Sequence, residues 1–469
     1  MQLDLPTVLG AAALAAAALA PALASAQPQS LTKRSMGRTT DTVVLTGPAL
    51  GRNVLGAHKS KVRVYACRSG YMVPILFQID ERDQRGTYCW NRGPRDRHIR
   101  DADGGALDSN DELVVLAEQA GDRARPESLM LVPGHTGVQE IELRDPLTDE
   151  LSWIYVFRFD GPMVPGRPDQ NLTEMRVERN ADDTLTYHWS GEHFQFNNDR
   201  SRENAIRATH AVFSKPGTRD FSGSVNLLDS TQVRAVVSFM WVTVVRQSNE
   251  LQVQIGGYID GPLRVVAENQ LKVYLAMGLW ASAPESYVIL QRNRVSMPTN
   301  ASCPVNLDTS DDSSYTLTMD MRAGIPGWKF YNSHNSTPVD IDGRFSPAER
   351  QLDLTYPDWN CAYGPQGGVI SKFVVPEFLR KKPGSRLVYI DDANHEPKED
   401  MKGIEFEPGA IGHNGYRMDM RGMKKGVYPG DYLVWYVAPP FAPGQEKAYL
   451  DEYDHPVVGR PTELEGTAK

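Results

Sequence analysis

Polar and apolar side chains alternate with a period of two through much of this chain. The helical spacing of roughly 3.6 residues is scarce. Val62–Cys67, Val73–Asp80, Val138–Leu143 and Trp153–Asp160 alternate, and Leu113–Ala117 is a short unbroken apolar run. Such runs, rich in Val, Ile, Tyr and Phe and bounded by Gly, Pro, Asn and Asp, predict strands. After the Pro/Gly-rich stretch Asp160–Asp169 the predicted strands lengthen: Ile206–Phe213, Arg234–Arg246, Leu251–Ile259, Leu263–Leu279 and Tyr287–Val295. Tyr315–Met321, Leu387–Ile390, Ile404–Glu407 and Tyr432–Val437 follow, and Phe373–Lys382 is a candidate short helix. The expected fold is mainly β, built of antiparallel sandwiches, with a large sandwich in the central and C-terminal part.

The organisation that follows is a signal peptide over residues 1–26, a polar linker over 27–40, an N-terminal β domain over 41–160 and a large β-sandwich domain over 166–469 with a Pro-rich, then acidic tail. The signal peptide rests on the apolar run Val8–Ala24 and the small-x-small site Ala24-Ser25-Ala26. Asp4 precedes that run where a signal usually carries Lys or Arg, and a retained anchor is the alternative. No later run reaches membrane length, so no span is expected after cleavage, and the expected location is periplasmic or secreted. A net charge of −9 and a pI of about 5.7 disfavour nucleic-acid binding.

Export makes the cysteines candidates for disulfides. Cys67, Cys89, Cys303 and Cys361 allow three pairings, of which Cys67–Cys89 with Cys303–Cys361 is the simplest. None lies in C-x-x-C-H, which removes covalent haem, and no phosphate-binding or dinucleotide fingerprint predicts a nucleotide.

"VPILFQIDERD" (Val73–Asp83) followed by "LDSNDELVVLAEQAGD" (Leu107–Asp122) resembles a pattern in uncharacterised exported bacterial β-rich proteins. "DGPLRVV" (Asp260–Val266) is loosely similar to large carbohydrate-active β-sandwich proteins. Neither resemblance assigns an activity to a residue.

Calcium is the cofactor with a candidate loop. Asp101, Asp103 and Asp108 place oxygens around Gly104-Gly105. Closure would fall on Glu112, as in an EF-hand, or on Asp111, as in a loop one residue shorter. The alternative is an acidic turn held by Asx bonds. Glu192 and His193 form an acid/base pair, with His188 five residues before His193, a spacing that disfavours zinc on a helix. His413, Tyr416 and Arg417 are the trio a polysaccharide lyase would use. Trp189, Trp328 and Trp359, beside polar or turn residues, are candidate sugar-stacking rings, whereas Trp153, Trp241, Trp280 and Trp435 read as core.

No group of residues stands out as catalytic. The sequence therefore points first to a non-catalytic exported protein that binds a carbohydrate or a protein partner at the cell surface. A carbohydrate-active lyase or hydrolase, and a structural subunit of an extracellular assembly, are the alternatives.

Overall fold

The computed structural model describes residues 30–90, 92–93, 103–162, 164–199, 204–247, 250–251, 253–274, 278–283, 286–396 and 409–464. Strands dominate, and all named pairs are antiparallel.

The N-terminal region is a small sandwich. One sheet orders Thr42–Thr46, Glu112–Leu116 and Phe77–Asp80; the other orders Val458–Thr462, Gly137–Arg144, Leu151–Arg158, Val62–Arg68 and Tyr71–Pro74. Val64, Ala66, Phe77, Val115, Ile141 and Ile154 fill the space between them. The run Val73–Asp80 thus divides between two sheets. Leu76 makes the corner, its N–H donating to the Gln119 Oε1 at 2.8 Å instead of to a strand. The tail returns to this region: Val458–Thr462 pairs with Gly137–Arg144, so the chain end is an edge strand of the first sandwich.

The large region has two layers. A ten-stranded sheet runs from Val253–Asp260 through Arg264–Tyr274, Arg294–Cys303, Gly426–Val437 and Gly367–Val374 to Val339–Ile341. Facing it are a five-stranded sheet (Val242–Gln247, Leu228–Phe239, Ser314–Met321, Ala410–Asp419, Arg386–Asp392) and a four-stranded meander (Glu174–Arg179, Leu185–Ser190, Phe194–Asp199, Asn204–Phe213). One continuous apolar core, from Met175 to Val434, lies between the layers. Two predicted long strands are hairpins. Arg234–Arg246 turns at Met240-Trp241, with Met240 at a φ of 58°, and Tyr287–Val295 turns at Arg292-Asn293. Phe373 and Val374 belong to a strand, and the predicted helix shrinks to Glu377–Arg380. Ile404–Glu407 lies outside the described residues.

The helix Glu446–Asp454 covers the outer face of the ten-stranded sheet, with Leu450 against Cys361, Ile370 and Trp435. No helix among the described residues is long and apolar enough to cross a membrane.

Candidate functional site

The big sandwich holds an apolar cavity of about 280 Å³ between its two sheets. The period-two pattern builds it. Thr231, Val233, Ala235 and Val237 line it from one sheet, and Met297, Thr299, Ala301 and Cys303 from the other. Thr231 to Val237 span roughly 20 Å of strand at about 3.3 Å per residue, and the lining on the facing sheet crosses from Val253 to Tyr432. Ala235, Ala281, Ala283 and Ala301 keep it open where larger side chains would have met across the sheets. Met418, Met420 and Met423 supply flexible walls. The short helix carrying Leu379 and the turn carrying Met420 and Met423 border one end, where Ala301 and Pro429 are exposed and form the mouth. The lining contains no carboxylate, histidine, lysine or arginine.

Two polar features complete the slot. Asn269 is buried in its wall, and its Oδ1 has no hydrogen-bond partner among the described residues. Cys303 Sγ donates to the Val305 carbonyl at 3.1 Å, and burial pushes its thiol pKa up.

The motif residues of the sequence lie elsewhere, at the seam between the two sandwiches. Arg264, from "DGPLRVV", is buried against Asp80, with Nε 2.6 Å from Oδ2, and against Glu112. Gln78 reads the same segment through its backbone: Oε1 accepts the N–H groups of Leu263 and Arg264, each at 3.0 Å, and Nε2 donates to the Arg264 carbonyl at 3.0 Å. Gly261 makes this approach possible, since a Cβ there would sit 2.2 Å from Gln78 Cδ. Burial alone would raise the Glu112 pKa, but the guanidinium groups of Arg264 and Arg82 outweigh it and hold the carboxyl below its usual value. "FQIDE", "NDEL" and "DGPLR" are therefore parts of one interdomain joint.

This joint also engages Glu112 of the predicted calcium set. Its two oxygens face Arg264 and Arg82, and it accepts from the Tyr88 hydroxyl at 3.0 Å. Asp103 accepts from the N–H groups of Gly105 and Ala106, and Asp108 from that of Asn110. Asp111 accepts from Arg82 and Asp108. These are the Asx bonds of an acidic turn. Asp101 lies outside the described residues, and no group of three or more His, Cys, Asp or Glu suited to a metal occurs among those described.

Neither predicted disulfide forms; no two of the four cysteines are joined. Cys303 faces the cavity, whereas Cys361 lies on the opposite face of the same sheet beneath the C-terminal helix. Cys67 packs on the outer face of the five-stranded N-terminal sheet with Trp153 and Tyr155, away from the sheet that Cys89 adjoins through the Glu81 carbonyl. Sequence proximity placed each pair in one segment; Cys303 and Cys361 face opposite sides of one sheet, and Cys67 and Cys89 belong to different parts of the first sandwich.

The trio also separates by pleat. Tyr416 points into the core and its hydroxyl donates to the Ser371 carbonyl at 2.8 Å, while Arg417 pairs with Asp312 at 2.7 Å on the outer face; His413 shares the parity of Arg417. Glu192 is committed to Arg292 at 2.6 Å, which also reaches Glu118 at 2.7 Å, so this carboxylate ties the meander to the N-terminal sandwich. His193 is 3.9 Å from Glu192, and burial lowers its pKa.

The tryptophans invert the expectation. Trp189 and Trp328 are closed in the core and offer no ring face to a sugar, and Trp359 is half-buried, edge-on to Tyr331 at 5.4 Å. Trp153 and Trp435 are core as expected, but Trp241 is 80% exposed and Trp280 56% exposed, because both sit at hairpin ends. Sequence reasoning missed the cavity altogether: its lining consists of ordinary strand residues. The one available signal was the cluster of small residues Ala281, Ala283 and Ala301 at inward positions.

No protein-family model matches the chain, and no curated protein does. Among solved structures it aligns with an alpha-mannosidase from Enterococcus faecalis at 10% identity, over 92% of this chain and 46% of that one, with a TM-score of 0.40. A glycosyl hydrolase family 38 protein from Enterococcus faecalis aligns at 10% identity over 91% and 49%, with a TM-score of 0.37. A Synechocystis protein aligns at 12% identity over 59% and 99%, with a TM-score of 0.27. The chain spans about half the length of the two Enterococcus proteins. Likenesses this loose assign neither activity nor ligand.

Proposed function

We propose that this protein is an exported, non-catalytic binding protein whose ligand is an apolar or amphiphilic small molecule held between the sheets of the large sandwich. The observation that carries this reading is the slot of about 280 Å³. It is nearly twice the roughly 150 Å³ of an engineered apolar cavity that stays dry and binds benzene. Its walls are apolar side chains that would otherwise face water through the mouth. A fold that leaves such a gap gains when something apolar fills it. Acid/base chemistry is not part of the reading, because no titratable carboxylate or imidazole lines the slot.

A carbohydrate ligand is the second reading, and its support is the exposure of Trp241 and Trp280, the latter 5.1 Å from the Tyr274 ring. One experiment separates the two. N-phenyl-1-naphthylamine, a neutral apolar fluorophore, is titrated into the full chain and into Ala301→Trp, which plugs the mouth. The parent should take up the dye with a blue-shifted emission, and Ala301→Trp should lose it with circular dichroism unchanged. A parent that does not brighten the dye, yet is retained on polysaccharide through Trp241 and Trp280, would reject the apolar ligand in favour of the sugar.

A further inference from the structure

The chain is acidic overall, with a net charge of −9. Around the mouth of the slot basic residues cluster, interspersed with Asp358, Glu377, Asp312 and Asp419. Arg380, Lys381 and Lys382 follow the lining residue Leu379; Arg421 lies between Met420 and Met423; Lys424 and Lys425 come directly after Met423. The two basic segments are in contact. Lys382 Nζ donates to the Arg421 carbonyl, the Tyr428 hydroxyl donates to the Lys424 carbonyl at 2.7 Å, and the Phe378 and Tyr428 rings lie 5.9 Å apart. Three of the six cations are locally neutralised, Arg380 by Asp358, Lys381 by Glu377 and Arg421 by Asp419. Lys382 lies within the field of Asp419, and among the described residues Lys424 and Lys425 form no ion pair with a carboxylate.

We propose that the ligand is a single-chain amphiphile with an anionic head: its hydrocarbon chain lies in the slot, and its head sits among Lys382, Lys424 and Lys425 at the mouth. This rests on the apolar-ligand reading above and adds the head group. The slot is apolar along and across several strands, which suits a hydrocarbon chain, and its methionines adapt to chain length and bends. A neutral hydrocarbon would gain nothing from the basic rim, and a cationic amphiphile would be repelled by it. Because Lys424 and Lys425 are exposed, their attraction is modest, screened by salt, and expressed as selectivity between heads more than as total affinity.

The test is titration calorimetry on the full chain with palmitate, hexadecanol and hexadecyltrimethylammonium below their aggregation thresholds, repeated with Lys424→Glu/Lys425→Glu. The expected order is palmitate tightest, the alcohol about tenfold weaker and the cation weakest. The double variant, at exposed positions that leave the fold intact, should close the gap between palmitate and alcohol and should still take up N-phenyl-1-naphthylamine. Raising the salt concentration should narrow the same gap in the parent. Equal binding of palmitate and hexadecanol by the parent, or an unchanged gap in the double variant, overturns the anionic head while the apolar slot stands. Binding of none of the three overturns both.

Discussion

The two sandwiches obey the same pleat and use it to opposite ends. In the N-terminal one, the inward residues meet and close the space: Val43, Leu45, Val64, Ala66, Phe77, Val115, Ile141 and Ile154 are each at most 3% exposed. In the large one, inward alanines face a gap, and the sheets part toward the mouth at Ala301. The charged motif residues gather where the first sandwich grips the second. The comparison teaches that the conspicuous acidic motifs build architecture, while the cavity is made by residues with no motif at all.

The joint is where that division can be broken most severely. Arg264→Leu would leave Asp80 buried without its cation and Glu112 with Arg82 alone, a loss of about 3–5 kcal/mol for one partner of a buried pair. Urea melts should show the midpoint falling accordingly, with the first sandwich loosening from the second. A midpoint unchanged by Arg264→Leu would mean the joint is not what unites them.

A matched pair of substitutions sharpens the contrast further. Ala66 is fully buried in the closed core, so Ala66→Leu overpacks it and should destabilise by about 1–3 kcal/mol. Ala235 faces the slot, so Ala235→Leu buries new methylenes without displacing anything and should stabilise by about 1–2 kcal/mol, at roughly 0.8 per methylene. It should also weaken dye uptake. Destabilisation of equal size at both positions would show the slot to be as closed as the first core.

Much of the fold was legible in the alternation, because a half-buried strand writes its inward face into every second residue. Val62–Arg68, Gly137–Arg144 and Leu151–Arg158 all appear close to where the pattern predicts them. Turns without glycine or proline were not legible: Met240-Trp241 and Arg292-Asn293 reverse the chain inside what reads as continuous strand, and Trp241 is consequently exposed instead of core. Pairings across sheets were not legible either. Nothing local says that Cys303 and Cys361 fall on opposite faces, or that Gln78 and Arg264, 186 residues apart, share a buried set of hydrogen bonds.

The smallest effect concerns the acidic turn, and it also decides the calcium question. Asp111 is buried, and burial pushes its pKa from 3.8 up to about 6 against the opposing pull of the Asp108 and Arg82 N–H donors. A carboxyl whose folded pKa lies above its unfolded one favours the folded state when protonated. Its contribution is fully present below about pH 3.8 and is lost as pH rises through about 6. Asp111→Asn should therefore flatten that part of the stability profile between pH 4 and 7, measured as the difference from the parent in urea midpoints. A calcium ion on Asp111 would reverse the sign, because a bound cation favours the charged carboxylate. The parent profile should thus be the same with and without EDTA. If EDTA alone created the fall in stability above pH 6, the turn would be a cation site, and the acidic motif would serve binding as well as architecture.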